Sequence, residues 1–295
     1  MAVGAGRRQR ERAAHRAEHD SLRRDRVLAQ DLGLFGPETI AWRMHRSPAL
    51  LLGGLRALMV QALHPLAMAA VAQFSDYRND VWGRYSRTTA YVVTTIFGTT
   101  RQAQAAGARV RAVHAPMAGV DDVTGQPFRA DDPELLLWVH VALVESFALA
   151  YDRYVKPLSA AERDQYVGEM VRQAELVGLP AERVPATWGQ LQAFIERLRP
   201  QLLASPQTRA AFDVVLHPPL PWWRRGGWRV IAEGGVALLP DYALELYDLR
   251  RRPLAWAVLR SLVRVGSRFA RRRGRPPLVL RDAILRARAA GYDLR

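Results

Sequence analysis

Helix-start signals recur along this chain of 295 residues and constrain its fold more than any other feature. A Ser, Thr or Asp before Pro, or three residues before Glu or Gln, is typical of a helix N-terminus, because the short side chain accepts a first-turn backbone N–H. Such signals stand at Ser47-Pro48, Asp132-Pro133, Ser159 with Glu162, Thr187 with Gln190, and Ser205-Pro206. The sequence therefore predicts an all-α fold, a single large helical domain.

Strand signals are weak by comparison. Residues 91–96 are rich in β-branched side chains, but they are embedded in a helical context. The longest apolar stretch, residues 49–74, is interrupted by Arg56 and His64, whereas a bilayer span of about 20 residues disfavours charges near its centre. We therefore predict a buried core helix that begins at the Ser-Pro pair and runs to about Gln73.

The net charge of +15 lies at the two ends of the chain. Residues 1–30 carry eight Arg and four acidic residues, and residues 222–295 carry seventeen Arg and six acidic residues. Residues 31–221 sum to zero. This distribution predicts a basic leader over residues 1–30 and one helical domain over residues 31–295 with an Arg-rich C-terminal part. The leader has no apolar run like that of a secretory signal, so we expect a cytoplasmic protein.

Several classes of chemistry are excluded by the sequence. Without cysteine there is no disulfide, thiolate nucleophile, iron–sulfur cluster or Cys-type zinc site. The sequence contains no P-loop, no G-x-G-x-x-G, no G-x-S-x-G and no His-Glu-x-x-His motif. The remaining candidates for a functional site are histidine and arginine side chains on apolar helices.

Arg111 and His114 lie three residues apart, which places both side chains on one face of a helix. A neutral imidazole is a suitable axial ligand for haem iron, and an arginine one turn away can pair with a haem propionate. The alternative is a surface arginine beside a hydrogen-bonded histidine, just before the helix ends at Pro116. The spacing alone leaves both interpretations open.

A second cluster comprises Arg84, Arg87, Thr88 and Tyr91, which share one face of a helix. Two guanidinium groups, a hydroxyl and a phenol form a donor-rich stripe suited to an anionic group, bound oxygen or an acidic substrate. The alternative is a solvated face whose arginines pair with the nearby Asp76 and Asp80.

Two further histidines lie in strongly apolar segments. His64 lies inside the long apolar stretch, and His140 has apolar neighbours at positions 136, 137, 143 and 144. A buried polar group without a partner costs roughly 1–3 kcal/mol, so each imidazole needs one. A lone core histidine is usually structural, whereas several on separate helices favour a cofactor site.

Tryptophan stands beside arginine over residues 221–229, and Arg271, Arg272, Arg273 and Arg275 add further basic charge. This pairing is typical of a membrane–water interface, where the ring is half-buried and the cation meets lipid phosphate. It predicts peripheral contact with an anionic membrane. A loop whose tryptophans dock on the core is the alternative. No nucleic-acid reading module accompanies the arginines, so no specific nucleic acid is expected.

Taken in order, these segments resemble a known family. Gln61-Ala-Leu-His-Pro65, Arg84-Tyr-Ser-Arg-Thr88, Phe97-Gly-Thr99 and Arg111-Ala-Val-His114 are similar to segments of the haem-dependent oxygenases of the rubber oxygenase (latex-clearing protein) and MpaB type. The stretch from Gly125 to Glu134 and the pair Thr187-Trp188 extend the likeness over about residues 35–220.

The resemblance implies a globin-like helical core around one b-type haem. It assigns His114 as the proximal iron ligand, with Arg111 beside it, and gives the distal positions to Arg84, Arg87 and Thr88. The family has lysine where this chain has Arg87, and arginine keeps its proton and does not readily ligate iron. His140 corresponds to another histidine near the haem. The resemblance carries His64 over as a haem-pocket residue.

The implied activity is oxidation, with dioxygen, of a small apolar substrate that is unsaturated or isoprenoid-like. Two other functions are compatible with the same residues. One is a non-catalytic haem-binding or sensing protein, which would use the same pocket. The other is a peripheral membrane adaptor that uses the basic ends of the chain.

Overall fold

The computed structural model describes residues 31–273 and 277–294, and the predicted basic leader lies outside them. Over these residues the chain forms thirteen α-helices and one two-stranded antiparallel sheet. The helices are α1 Ile40–His45, α2 Leu50–Gln61, α3 Pro65–Phe74, α4 Val81–Phe97, α5 Thr100–His114, α6 Pro133–Tyr154, α7 Ala160–Leu176, α8 Trp188–Leu198, α9 Pro206–Leu216, α10 Trp222–Val236, α11 Asp241–Leu246, α12 Pro253–Arg273 and α13 Leu278–Ala289. The all-α prediction is confirmed.

Four of the five predicted start signals cap a helix. The fifth, Ser47-Pro48, does not, because α2 begins at Leu50 without a side-chain cap. Asp132 accepts backbone N–H bonds at the start of α6, and Ser205 does so at the start of α9. Ser159 and Glu162 form a reciprocal capping box on α7. Thr187 caps α8, but the Gln190 side chain accepts from the preceding residue, so the predicted box there is only half formed. Local side-chain chemistry thus sets these boundaries.

The predicted single helix to Gln73 is wrong, because two helices occupy that stretch. α2 ends at Gln61 and α3 begins at Pro65, with their axes bent by 102°. Pro65 has no N–H to donate, and its ring pushes His64 into an extended conformation at φ −81° and ψ 117°. This bend opens space beside α3.

The β-branched residues 91–96 lie within α4, as their helical context indicates. The sheet is a short hairpin of β1 Ala118–Val120 and β2 Pro127–Arg129, in which Gly119 pairs with Phe128. Strands of three residues are too short to leave a periodic pattern, so the sequence does not indicate them. The hairpin carries the chain from α5 to α6.

The long helix α6 runs through the core and packs closely against α2. Gly53 makes this approach feasible, because a Cβ at this position would lie 2.8 Å from the carbonyl oxygen of Ser146. The helix is long and apolar enough to cross a bilayer, but 72% of its most apolar window is buried inside the protein. The bent pair of α2 and α3 passes the same composition test only if taken as one span.

Candidate functional site

A cavity of about 2160 Å³ opens between the first six helices. α1 to α6 supply most of its wall, and its far end reaches residues of α9, α10 and α13. Most lining side chains are aliphatic or aromatic, with a small set of arginines and histidines among them. This combination of an apolar wall and a few polar groups is typical of ligand and cofactor sites.

Helix α4 presents the predicted donor-rich stripe to the cavity. Asp80 caps the helix by accepting from the backbone N–H of Gly83, and this fixes the helical phase of the residues that follow. Arg84, Arg87 and Thr88 all line the cavity. Tyr91 lines it one turn further on, and burial raises the pKa of its phenol. The four side chains therefore occupy one wall.

The two arginines of this wall have different environments. Arg84 is half-buried and donates to the hydroxyl of Ser75. Burial is the main cause that lowers the pKa of Arg84, and the charge of Arg87 lowers it further. Arg87 is exposed and pairs with Asp80 at 3.0 Å. The alternative of a solvated, acid-paired face thus describes Arg87 but not Arg84.

His114 is the last residue of α5 and lines the cavity. Burial lowers the pKa of its imidazole, the carboxylate of Asp131 opposes that shift, and the charge of Arg84 adds to it. The imidazole is therefore neutral at pH 7, with a lone pair on one ring nitrogen. His114 at the end of α5 and Arg84 of α4 thus line the same cavity.

Arg111 is directed away from the cavity. It lies on the same helix three residues before His114, but its guanidinium donates to the carbonyl of Leu176 at the end of α7. Its side chain also passes the positive-φ turn at Gly178. Arg111 therefore ties α5 to α7, and Arg84 and Arg87 are the predicted arginines that line the cavity.

The two core histidines also differ. His140 is buried on α6 and lines the cavity, and burial lowers its pKa to about 4. His64 is buried at the bend between α2 and α3, packed on Trp138 with ring centroids 6.0 Å apart. Its Nδ1 has no hydrogen-bond partner in the structure. The structure therefore brings together Arg84, Arg87, Thr88, His114 and His140, and it sets Arg111 and His64 behind the wall.

His45 is a cavity residue that the sequence analysis missed. It is the last residue of α1, its Nε2 lies 3.0 Å from the hydroxyl of Tyr166, and its ring packs edge-on against Phe147. Burial lowers the pKa of His45 to about 3, so this imidazole is neutral as well. His45 lies three residues after Trp42 on an apolar helix, so the two side chains share one helix face. This spacing is the sequence signal that indicates an inward-facing His45.

Aromatic side chains surround the far end of the cavity. Trp82 lies edge-on to both Tyr85 and Trp228, with ring centroids 6.2 and 5.6 Å apart. The indole N–H of Trp82 donates to the carbonyl of Pro219, and that of Trp228 donates to Val215. These bonds hold the rings in place, so this end can receive a flat or unsaturated apolar group.

Within residues 31–273 and 277–294, no three His, Asp or Glu side chains are grouped so as to hold a metal ion by themselves. What these residues offer is a set of separate neutral imidazoles around an apolar space. A metal carried by a macrocycle needs only one such axial ligand, whereas a bare metal ion needs several.

Comparisons with known proteins agree with this architecture. The family described as ER-bound oxygenase mpaB/B′/rubber oxygenase, catalytic domain, matches residues 42–268. The solved structure of latex clearing protein LCP in the closed state is similar in fold, with a TM-score of 0.54 and 16% sequence identity. The likeness covers 88% of this chain and 72% of that one. No curated protein sequence matches the chain significantly.

Proposed function

Since the chain belongs to the mpaB and rubber oxygenase catalytic-domain family, which is a family of oxygenases, we propose that it is a b-type haem-dependent oxygenase. It acts with dioxygen on a small apolar substrate that is unsaturated or isoprenoid-like. The observation that carries the proposal is the apolar cavity in which a neutral His114 faces the Arg84 wall.

The size and lining of the cavity support the proposal of a haem. Pockets that hold drug-sized ligands measure roughly 300–1,000 Å³. The cavity of about 2160 Å³ is more than twice as large, so its volume is sufficient for a tetrapyrrole together with a substrate. Its apolar wall suits the faces of the macrocycle. The guanidinium groups of Arg84, Arg87 and Arg109 can pair with the propionates.

His114 is the residue that would hold the iron. A histidine ligates a metal through a neutral ring nitrogen, and burial together with the charge of Arg84 keeps this imidazole neutral. Asp131 lies near enough to oppose that shift, and Arg129 holds both carboxylate oxygens of Asp131 at 2.9 Å. A carboxylate held in this way can orient the ligating imidazole.

Haem, when bound, supplies dioxygen binding and one-electron chemistry. The protein contributes an apolar wall that excludes water, which strengthens the electrostatic interactions inside the cavity. Arg84 and Thr88 donate hydrogen bonds toward negative charge that develops on oxygen. His140, neutral and buried, can form a hydrogen bond with bound oxygen or with a polar group of the substrate.

Arg87 replaces the lysine that the family motif carries, and this changes what the distal wall can do. A lysine can lose its proton and approach the iron, whereas a guanidinium stays charged. Arg87 also pairs with Asp80, which directs it toward the rim of the cavity. We propose that Arg87 contacts a propionate or the substrate. The side chain at this position would then not ligate the iron.

The test is an absorption spectrum of protein produced with adequate iron and haem precursor. The wild-type chain is expected to show a Soret band, and His114→Ala is expected to lose or shift it. His217→Ala is the matched control, because this exposed histidine pairs with Asp213 at the end of α9. A colourless wild-type protein that haemin cannot reconstitute would contradict the proposal.

Oxygen consumption then separates catalysis from sensing. With unsaturated isoprenoids as substrates, the haem-loaded protein is expected to consume oxygen and to give products with added oxygen mass. Arg84→Gln should lower the rate at least tenfold, in line with the loss of one such donor in other enzymes. A loaded protein that binds these compounds without consuming oxygen would support the sensing function.

A further inference from the structure

The most exposed large apolar side chains of the described residues are concentrated in the C-terminal third. Eight of them, each 57–85% exposed, are Trp222, Trp223, Leu254, Val258, Leu262, Val265, Leu278 and Leu285. They lie on α10, α12 and α13. This much apolar exposure within one part of the chain points to a surface that contacts another apolar phase.

Helix α12 has two apolar faces. Trp256, Leu259 and Val263 are buried and attach the helix to the core. Leu254, Val258 and Leu262 follow one another at four-residue spacing, so they form a stripe on a different face, and this stripe is exposed. A helix that served only the core would carry polar residues there. Packing against the core therefore does not account for the exposed apolar stripe of α12.

The sequence around this stripe is strongly basic. Residues 249–281 contain eleven Arg and no Asp or Glu. Arg251 and Arg252 pair with the acidic residues Asp241 and Glu233 of neighbouring elements, and these pairs hold the start of α12 in place. A second copy of the chain would bring the same positive charge against itself, which disfavours a dimer through this face.

The first turn of α10 carries a related pattern. Trp222 and Trp223 are exposed, and the guanidinium of Arg224 lies 4.5 Å from the ring centroid of Trp223. The indole ring is half apolar and half hydrogen-bonding, so it is stable at the boundary between hydrocarbon and lipid headgroups. An arginine beside it can reach a lipid phosphate at the same depth.

We propose that α10 and α12 dock on the surface of an anionic lipid bilayer. A bilayer supplies both an apolar phase for the leucine and valine stripe and phosphate groups for the arginines. Nucleic acid supplies phosphate but no apolar phase that would cover the stripe. The docking surface is defined by Trp222, Trp223, Leu254, Val258 and Leu262.

One helix of the docking surface, α10, also reaches the far end of the cavity. Its Trp228 lines the cavity. A bilayer against this side would therefore bring membrane-dissolved apolar molecules near the aromatic end. This use of the surface rests on the proposed function, whereas the docking itself does not.

The test is co-sedimentation of the full chain with vesicles of phosphatidylcholine alone and of equal phosphatidylcholine and phosphatidylglycerol. We expect binding to the anionic vesicles that weakens at about 0.5 M salt, where charges are screened within a few ångströms. The triple variant Leu254→Ser, Val258→Ser, Leu262→Ser should bind the anionic vesicles at least roughly tenfold more weakly than the wild type. Because the readout is sedimentation, the result is independent of haem binding and of activity.

The matched control is Val120→Ser with Val123→Ser, which removes exposed apolar side chains from the β1 hairpin. This variant is expected to bind vesicles like the wild type. Circular dichroism should show that both variants are folded. Three results would overturn the proposal. The first is no binding to vesicles, with or without binding to duplex DNA. The second is equal vesicle binding by the triple variant and the wild type, and the third is a wild-type dimer that the triple variant dissociates.

Discussion

At the residue scale, the buried pair of Arg56 and Glu145 shows what neighbouring sequence cannot indicate. Arg56 is fully buried, and its guanidinium donates to Glu145 at 2.6 Å, to Ser146 at 2.6 Å and to the carbonyl of Leu238 at 2.9 Å. Gln192 donates to the second oxygen of Glu145. In the sequence, Arg56 appears only as an interruption of an apolar stretch, because its partners lie 89 residues or more away.

Arg56→Leu is expected to lower the free energy of unfolding by about 3–5 kcal/mol. The substitution leaves the Glu145 carboxylate buried without its partner, and such a charge is strongly destabilising. Urea unfolding followed by circular dichroism measures the effect. The double variant Arg56→Leu, Glu145→Leu should be more stable than the single one, because no charge is then left uncompensated. If the single variant were as stable as the wild type, the pair would not be buried in solution.

Stability should depend on pH through the buried His140. Its pKa is about 4 in the folded protein and near 6.5 in the unfolded chain, so the unfolded state binds more protons between these values. Stability is therefore retained above about pH 6.5 and is lost as the pH falls toward 4. The pKa difference corresponds to about 3 kcal/mol. His45, with a pKa of about 3, contributes in the same direction.

Urea unfolding of haem-free protein at pH 7.5 and pH 4.5 measures this loss. His140→Gln should reduce the difference between the two pH values, because the variant has no imidazole to protonate. His217→Gln, at an exposed position, should leave the difference unchanged. Equal pH dependence in all three proteins would contradict the assignment.

At the element scale, the contact between α2 and α6 depends on a missing side chain. A Cβ on Gly53 would lie 2.8 Å from the carbonyl oxygen of Ser146 and 3.0 Å from the ring of Phe147. Gly53→Ala is therefore expected to cost about 1–3 kcal/mol, since the backbone must shift to admit the methyl group.

The control for Gly53→Ala is Gly227→Ala in α10, where the added methyl group meets no atom within 4 Å. That change should be neutral or stabilising by up to about 1 kcal/mol, because alanine favours a helix. Thermal unfolding of both variants provides the comparison. A stable Gly53 variant would show that the two helices are not packed this closely.

Sequence signals at this scale succeed where they are local. The caps at Asp132, Ser159 and Ser205 mark real helix starts, because each involves hydrogen bonds within one turn. The predicted helix to Gln73 failed at Pro65, although the proline was visible in the sequence. The apolar stretch continues on both sides of the bend, so hydrophobicity alone does not show where the helix breaks.

At the scale of the whole molecule, the cavity is assembled from helices that span most of the chain. Its lining runs from Pro37 near the start of the described residues to Ile284 near their end. A ligand that fills it should therefore stabilise the whole fold. Binding to the native state alone adds about 2.7 kcal/mol of stability when the free ligand is at one hundred times its dissociation constant.

Haem loading is expected to raise the thermal unfolding midpoint by several degrees relative to haem-free protein. His114→Ala should show a smaller rise at the same haemin concentration, because its affinity is lower. His217→Ala should match the wild type. The measurement is calorimetry of each protein with and without haemin. An unchanged midpoint in the wild type would mean that haemin does not bind in the cavity.

The all-α class, four helix starts and the order of the motifs that resemble the oxygenase family could be predicted from the amino-acid sequence alone. These features follow from hydrogen bonds and side-chain spacing within a few residues. Which side chains line the cavity depends on how the helices pack. Arg111 lies one turn from His114 and yet bonds to Leu176, whereas His45 reaches the cavity from α1. Packing between distant helices selects these positions, and its partners are not neighbours in the sequence.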